Sequence, residues 1–181
     1  HKSTQRQSKK ISLISANVYQ FNTRYSLLID LVMRTKPEIL LTLESNAEWE
    51  NALSVLDKDY PNYKKVALEN TYGMHFYTRL KVLHSEVHYY VSDDIPSIEA
   101  QLETEDGFKF TIFGVHPPPP SPTEEENSKE RDGELMCVAK KVRKNKDTSI
   151  VVGYFNTVAW SKVSTLFRKT SGLLDPRIGR G

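Results

Sequence analysis

Apolar positions recur along this chain with two periods, and the switches between them mark out its elements. In "ISLISANVY", Ile11, Leu13 and Ser15 fall on one parity and Ile14, Ala16 and Val18 on the other. With both faces mostly apolar, the segment reads as a central strand. In "YSLLIDLVMRTK", Leu28, Leu31 and Val32 take helical spacing. That helix should stop near Pro37, because the residue before a proline is pushed out of the helical region. Glu38 to Ser45, "EILLTLES", gives a second apolar strand, after which Trp49, Leu53, Leu56 and Tyr60 share one helical stripe. The opening unit is therefore βαβα.

From Tyr63 to Val115 the pattern becomes a series of short strands: "YKKVALE", "MHFYTR", "KVLHSEVHYYV" and "SIEAQLETEDGFKFTIFGV". The last divides at Asp106-Gly107, a pair that tolerates the positive φ of a hairpin turn. An antiparallel section is expected here. "HPPPPSPTEEE" is a proline-stiffened loop, since proline cannot donate within a sheet interior. Leu135, Val138, Ala139 and Val142 then stand at i, i+3, i+4 and i+7, a helix with one face on a sheet. "SIVVGYFN" reads as a buried strand and "VSTLFRKT" as a short helix. Helices flanking sheets of mixed neighbours predict a layered α/β or α+β sandwich around one core. The ending "LLDPRIGRG" follows neither period, so a terminal hairpin is expected to be missing from the pattern.

Composition narrows the partners more than the fold. The 181 residues suit one domain, and 38% hydrophobic with 27% charged residues is a globular balance. Lys plus Arg number 25 against 23 Asp plus Glu, so at +2 no global basic field draws the chain to nucleic acid. Residues 1–10, "HKSTQRQSKK", read as a flexible leader, preceded by a removed upstream portion; residues 11–181 read as the folded domain. The single Cys137 leaves no internal disulfide and no cysteine-based metal cluster, and reads as a core thiol. No apolar run approaches the roughly 20 residues that span a bilayer, so any membrane tether lies outside this sequence.

Candidate chemistry sits where apolar strands end in polar residues: Asn17, Glu44, His116 and Asn156. Each alone is weak, because such residues are usually turn or loop side chains. Together they form a constellation. A carboxylate at Glu44 is the oxygen ligand that hard Mg²⁺ or Mn²⁺ prefers, and Mg²⁺ takes one or two carboxylates with water and substrate phosphate. Asn17 and Asn156 could then orient water and phosphate oxygens, and His116 could hydrogen-bond a phosphoryl oxygen as charge develops. Such a set suits phosphoester hydrolysis, but it lacks a base.

"SANVYQFN", "PEILLTLESNAEW", "GVHPPPP", "VVGYFNTVAWS" and "LLDPRIGRG" resemble the endonuclease/exonuclease/phosphatase family of metal-dependent phosphoesterases, from about Ile11 to Gly181. The resemblance implies a four-layer α/β/β/α sandwich with Asn17 and Glu44 at the metal, His116 near the scissile phosphate and Asn156 orienting the attacking group. It is closest to a bacterial branch whose catalytic domain is membrane-anchored and extracytoplasmic. Two departures stand out. The family's Gly-Asp-x-Asn, whose Asp activates water, is here Gly153-Tyr154-Phe155-Asn156; a phenol ordinarily stays protonated at neutral pH and is a poor base. The family's closing strand with Asp-His is also lacking from the sequence. The expectation is a phosphodiesterase, phosphatase or nuclease domain impaired by Tyr154 and by that missing strand, acting on a phosphorylated lipid-linked, small-molecule or nucleic-acid substrate. The alternative is a pseudoenzyme that binds a phosphorylated ligand in the old pocket.

The remaining features have plainer readings. His75, His84 and His88 are expected as surface or hairpin residues rather than zinc ligands, with no carboxylate at useful spacing. Trp49 is helix core, and Trp160 is a candidate wall of the pocket. Glu124 to Glu126 suit a helix N-terminus. Arg177 and Arg180 are candidate phosphate ligands, although a solvated loop accounts for them equally well.

Overall fold

The computed structural model describes residues 10–119, 125–156 and 161–176. Residues 1–9 of the expected leader, Glu124, Trp160, Arg177 and Arg180 lie outside them. The first half runs β1 (Leu13–Asn17), α1 (Tyr25–Thr35), β2 (Ile39–Leu43), α2 (Ala47–Leu53), β3 (Asn62–Val66) and β4 (Met74–Thr78). The second runs β5 (Lys81–His88), β6 (Ser97–Glu103), β7 (Lys109–Val115), α3 (Glu125–Lys144), β8 (Thr148–Gly153) and α4 (Lys162–Ser171).

Two four-stranded sheets result, ordered β1-β2-β4-β3 and β5-β6-β7-β8. β1 runs parallel to β2, with Asn17 opposite Leu43. β7 runs parallel to β8, with Val115 opposite Gly153. The other pairings are antiparallel. The β6–β7 hairpin turns where the sequence reading placed it, with Gly107 at φ 81° donating its N–H to Thr104.

Each strand's alternation sorts its side chains between layers. Ile39, Leu41, Leu43, Met74 and Phe76 meet Ile98, Ala100, Leu102, Phe110 and Ile112 between the sheets. On the outer side of the first sheet, Leu40 and Tyr77 pack with Leu28, Val32, Trp49, Leu53 and Leu56 of the helical layer. On the outer side of the second, Phe113 and Val115 pack with Leu135, Val138, Ala139, Val163 and Phe167. The molecule is thus an α+β sandwich with helices outside both sheets. Gly114 of β7 lets the sheets approach closely: a methyl there would stand 3.1 Å from Leu41 Cδ1 and 3.3 Å from Met74 Sδ.

Several sequence expectations need correction. Among the described residues β1 lies at the edge of its sheet, not in its centre. Its two apolar faces have another cause, since Leu13 packs on the inter-sheet core while Ile14 and Ala16 pack toward the helices. β8 is likewise at the edge among the described residues and only half-buried. The α2 helix is shorter than its apolar stripe; the stripe continues through a 3₁₀ turn at Ser54–Leu56 to Tyr60, whose hydroxyl donates to the Pro37 carbonyl at 2.7 Å. Cys137 is only partly buried. His75 is no surface residue: it lies in the fully buried β4, 0% exposed. Burial, aided by the Lys65 charge, lowers its imidazole from 6.5 to about 4. Among the described residues no helix is long and apolar enough to cross a membrane.

Candidate functional site

The C-terminal ends of the two parallel strand pairs bring the predicted residues together. β1 ends at Asn17, and Glu44 follows β2 directly. The parallel register therefore sets their side chains side by side, and Asn17 Nδ2 donates to Glu44 Oε1 at 2.6 Å. Asn17 is oriented in turn, because its Oδ1 accepts the Tyr19 N–H at 3.0 Å. Glu44 adopts a left-handed backbone at φ 59°. The next residue secures that turn: Ser45 N–H donates to the Gly73 carbonyl at 3.0 Å, and its hydroxyl meets Thr42 Oγ1 at 2.6 Å. Gly73 is required there, since any Cβ would lie 1.8 Å from the Ser45 carbonyl oxygen. Asn46 then caps α2 by accepting the Trp49 N–H.

The second sheet supplies the other half. His116 follows β7, and Tyr154 and Asn156 follow β8. Tyr154 N–H donates to the Val115 carbonyl at 3.2 Å, and Asn156 Nδ2 donates to the Pro117 carbonyl at 2.7 Å. These two bonds tie the ends of β7 and β8 together. His116 is 4% exposed, and its buried Nδ1 has no hydrogen-bond partner. Burial lowers its imidazole to about 4, so at neutral pH it is an uncharged donor or acceptor rather than a cation.

Tyr72 joins the two halves, and sequence reasoning missed it. Its ring lies 5.6 Å from that of His116, whose other neighbour is Tyr154 at 6.1 Å. Burial, and after it the charges of Asp94, Glu130, Glu134 and Glu44, raise the Tyr72 phenol above its ordinary value. The only signal available beforehand was its loop, "NTYG", next to a glycine. Tyr154 is 54% exposed, so the position expected to hold a base presents a phenol ring to solvent beside His116.

A hard divalent cation suits the donor set at Glu44. The carboxylate is half-buried, one oxygen is held by an amide, and no Lys or Arg pairs with it among the described residues. No three His, Cys, Asp or Glu side chains group as a ligand set among the described residues, and Glu44 is the carboxylate that the ends of β1 and β2 offer there. His84 and His88 lie away from this site, and the expectation that no carboxylate accompanies them is corrected. Glu86 sits 3.6 Å from His84 and 3.7 Å from His88, and His88 also meets Glu99 at 2.6 Å. Lys141 occupies the same cluster, 2.7 Å from Glu99. Burial acts to raise the Glu99 carboxyl, but its hydrogen bonds to Lys141 and His88 hold it below its usual range.

Known proteins share this architecture. A sequence profile described as the Endonuclease/Exonuclease/phosphatase family matches residues 14–180. No curated protein sequence matches significantly. A beta toxin mutant from Staphylococcus aureus with bound magnesium ions superposes with a TM-score of 0.74 at 17% identity, over 92% of this chain and 72% of that one. Sphingomyelinase C from Streptomyces griseocarneus superposes at 0.75 with 10% identity, over 93% and 72%. D. rerio TDP2 complexed with a single-strand DNA product superposes at 0.71 with 20% identity, over 88% and 65%. At these identities the likeness is one of fold.

Proposed function

Because the chain belongs to the endonuclease/exonuclease/phosphatase family, we propose that it is a phosphoester-hydrolase domain with Mg²⁺ or Mn²⁺ at Glu44, weak or inactive while Tyr154 stands at the base position. The observation that carries this reading is the Asn17–Glu44 hydrogen bond at the end of one parallel pair, with Tyr72, just before β4 of the same sheet, set against His116 at the end of the other pair. A divalent cation there would supply positive charge for phosphoryl oxygens.

The chain's own groups divide the remaining work. Asn17 fixes the Glu44 carboxylate. Neutral His116 donates a hydrogen bond to a phosphoryl oxygen as charge develops. Asn156, with Nδ2 committed to Pro117, keeps its Oδ1 as the acceptor that would orient the attacking group. Tyr154 offers a phenol where a carboxylate would take the proton. Trp160, Arg177 and Arg180 belong to the proposal as substrate contacts on the sequence alone. So does a location on the extracytoplasmic face of a bacterial membrane, with a tether outside this chain. The near-neutral net charge of +2 disfavours tight nonspecific duplex binding.

A second reading has one observation in its favour. Tyr154 is 54% exposed and leans toward His116, as a stacking surface would. A pseudoenzyme that binds a phosphorylated ligand would use it so. One assay separates the two: Mg²⁺- and Mn²⁺-dependent hydrolysis of a nitrophenyl phosphodiester and phosphomonoester, by this protein and by its Tyr154→Asp variant. Activity only with Asp supports an assembled site silenced by Tyr154. Activity in neither favours the binding role, and equal activity in both removes Tyr154 from the base position.

A further inference from the structure

The loop from Val18 to Arg24 joins β1 to α1 and begins beside the catalytic carboxylate. Tyr19 and Phe21 on it are 56% and 68% exposed, with ring centroids 5.5 Å apart at 70°. Single exposed aromatic residues are ordinary. This pair is unusual in how firmly it is held. Asn22 N–H donates to the Tyr19 carbonyl at 2.8 Å, Asn22 Nδ2 reaches the Val18 carbonyl, and Asn22 Oδ1 accepts the Arg24 N–H at 3.0 Å. Between the two rings Gln20 turns inward, 4% exposed. Its Nε2 donates to the Glu69 carbonyl at 3.0 Å, and its Oε1 accepts the Thr71 N–H at 2.8 Å. The loop is thereby clamped to the segment that carries Tyr72.

Tyr19 sits at φ 56°, a left-handed backbone that Gly or Asn adopts with less strain than an aromatic residue. The ring is displayed in spite of that strain. Its position is fixed relative to the site as well, because the Tyr19 N–H bonds Asn17, which bonds Glu44.

Resting on the phosphoester reading above, we infer that Tyr19 and Phe21 form a stacking platform for a planar heteroaromatic ring attached to the phosphoester, a nucleotide-sized group rather than a long strand. A rigid surface loses little freedom on binding, which favours stacking of a flat ring over adaptive insertion into lipid. Arg24 is the loop's single cation, too few for a backbone-tracking groove or for strong attraction to an anionic membrane.

The test is calorimetric titration in Mn²⁺ with thymidine 5′-monophosphate and glycerol 3-phosphate, on the protein and on a Tyr19→Asn/Phe21→Ala variant, Asn being tolerated at positive φ. Thymidine monophosphate should bind about 5-fold to 150-fold more tightly than glycerol phosphate, the range expected for one stacked ring. The double variant should lose that excess and keep its glycerol phosphate affinity. Equal affinities, or an excess that survives in the variant, overturn the platform. If glycerol phosphate fails to bind while thymidine monophosphate binds through Tyr19 and Phe21, the platform stands and the phosphoester reading falls. Variant-sensitive binding to phosphatidylglycerol vesicles without any nucleotide excess would overturn it in favour of a membrane contact.

Discussion

Glu134 on α3 is 1% exposed, with one carboxyl oxygen accepting the Ser97 hydroxyl at 2.6 Å and the other without a partner. Burial raises the carboxyl from its ordinary 4.5 to about 7, with the Ser97 bond acting the other way. A raised folded-state value means that the native chain holds the proton more tightly than the unfolded one. The associated stability is complete below pH 4.5 and is lost as pH climbs through 7. At about 1.4 kcal/mol per pH unit of difference, the loss between pH 5 and pH 8 comes to about 2.5 kcal/mol. Glu134→Gln keeps an acceptor for Ser97 and removes the ionisation. In urea unfolding at both pH values, the advantage of the Gln protein should therefore grow by about 2.5 kcal/mol from pH 5 to pH 8. His75 and His116 titrate in the opposite sense, but they are common to both proteins and cancel in the comparison. A Gln–Glu difference that stays flat across this range would refute the reasoning, since it would mean that the folded and unfolded chains release the Glu134 proton over the same pH range.

Buried His75 and His116 should titrate near 4 in histidine NMR spectra, and the stability they contribute, complete above 6.5, should be lost as pH falls toward 4. Titration of either near 6.5 would contradict the burial assigned to it. Glu44→Gln should abolish Mn²⁺ binding followed by electron paramagnetic resonance, and Asn17→Ala should weaken it by about 10- to 100-fold through loss of carboxylate orientation. Undiminished affinity in Glu44→Gln would remove the metal from this site. Gly153→Ala would set a Cβ 1.8 Å from the Val115 carbonyl oxygen at φ 143°, and should cost at least ~2 kcal/mol in denaturant unfolding.

Most of the layer order was legible because each helix carries one apolar stripe and most strands carry a repeating apolar parity. Asn17, Glu44, His116 and Asn156 were legible for a related reason, since each is the first strongly polar side chain after an apolar strand. What periodicity could not convey was the environment of polar residues within strands. β4, "MHFYT", is buried at every position, so His75 sits in the core although its residue type favours the surface. β1 shows the same ambiguity in reverse: two covered faces read as a central strand, whereas lateral position depends on pairing that no local pattern records. Tyr72 and Gln20 lie in loops, where no period exists, and their roles follow from contacts across about 50 residues, such as Thr71 to Gln20.

The close approach at Gly114 bears on how the site keeps its dimensions. Asn17 and Glu44 stand at the end of one sheet, His116 and Asn156 at the end of the other, and among the described residues no strand pairing links the two sheets. Their separation is therefore a thickness, set by the side chains stacked between them, and Gly114 against Leu41 and Met74 is a thin spot in that layer. A single methyl at position 114 would act as a shim, leaving every residue of the site unchanged while altering the gap a substrate must bridge. Selection on this glycine would thus register as tuning of reach rather than of chemistry.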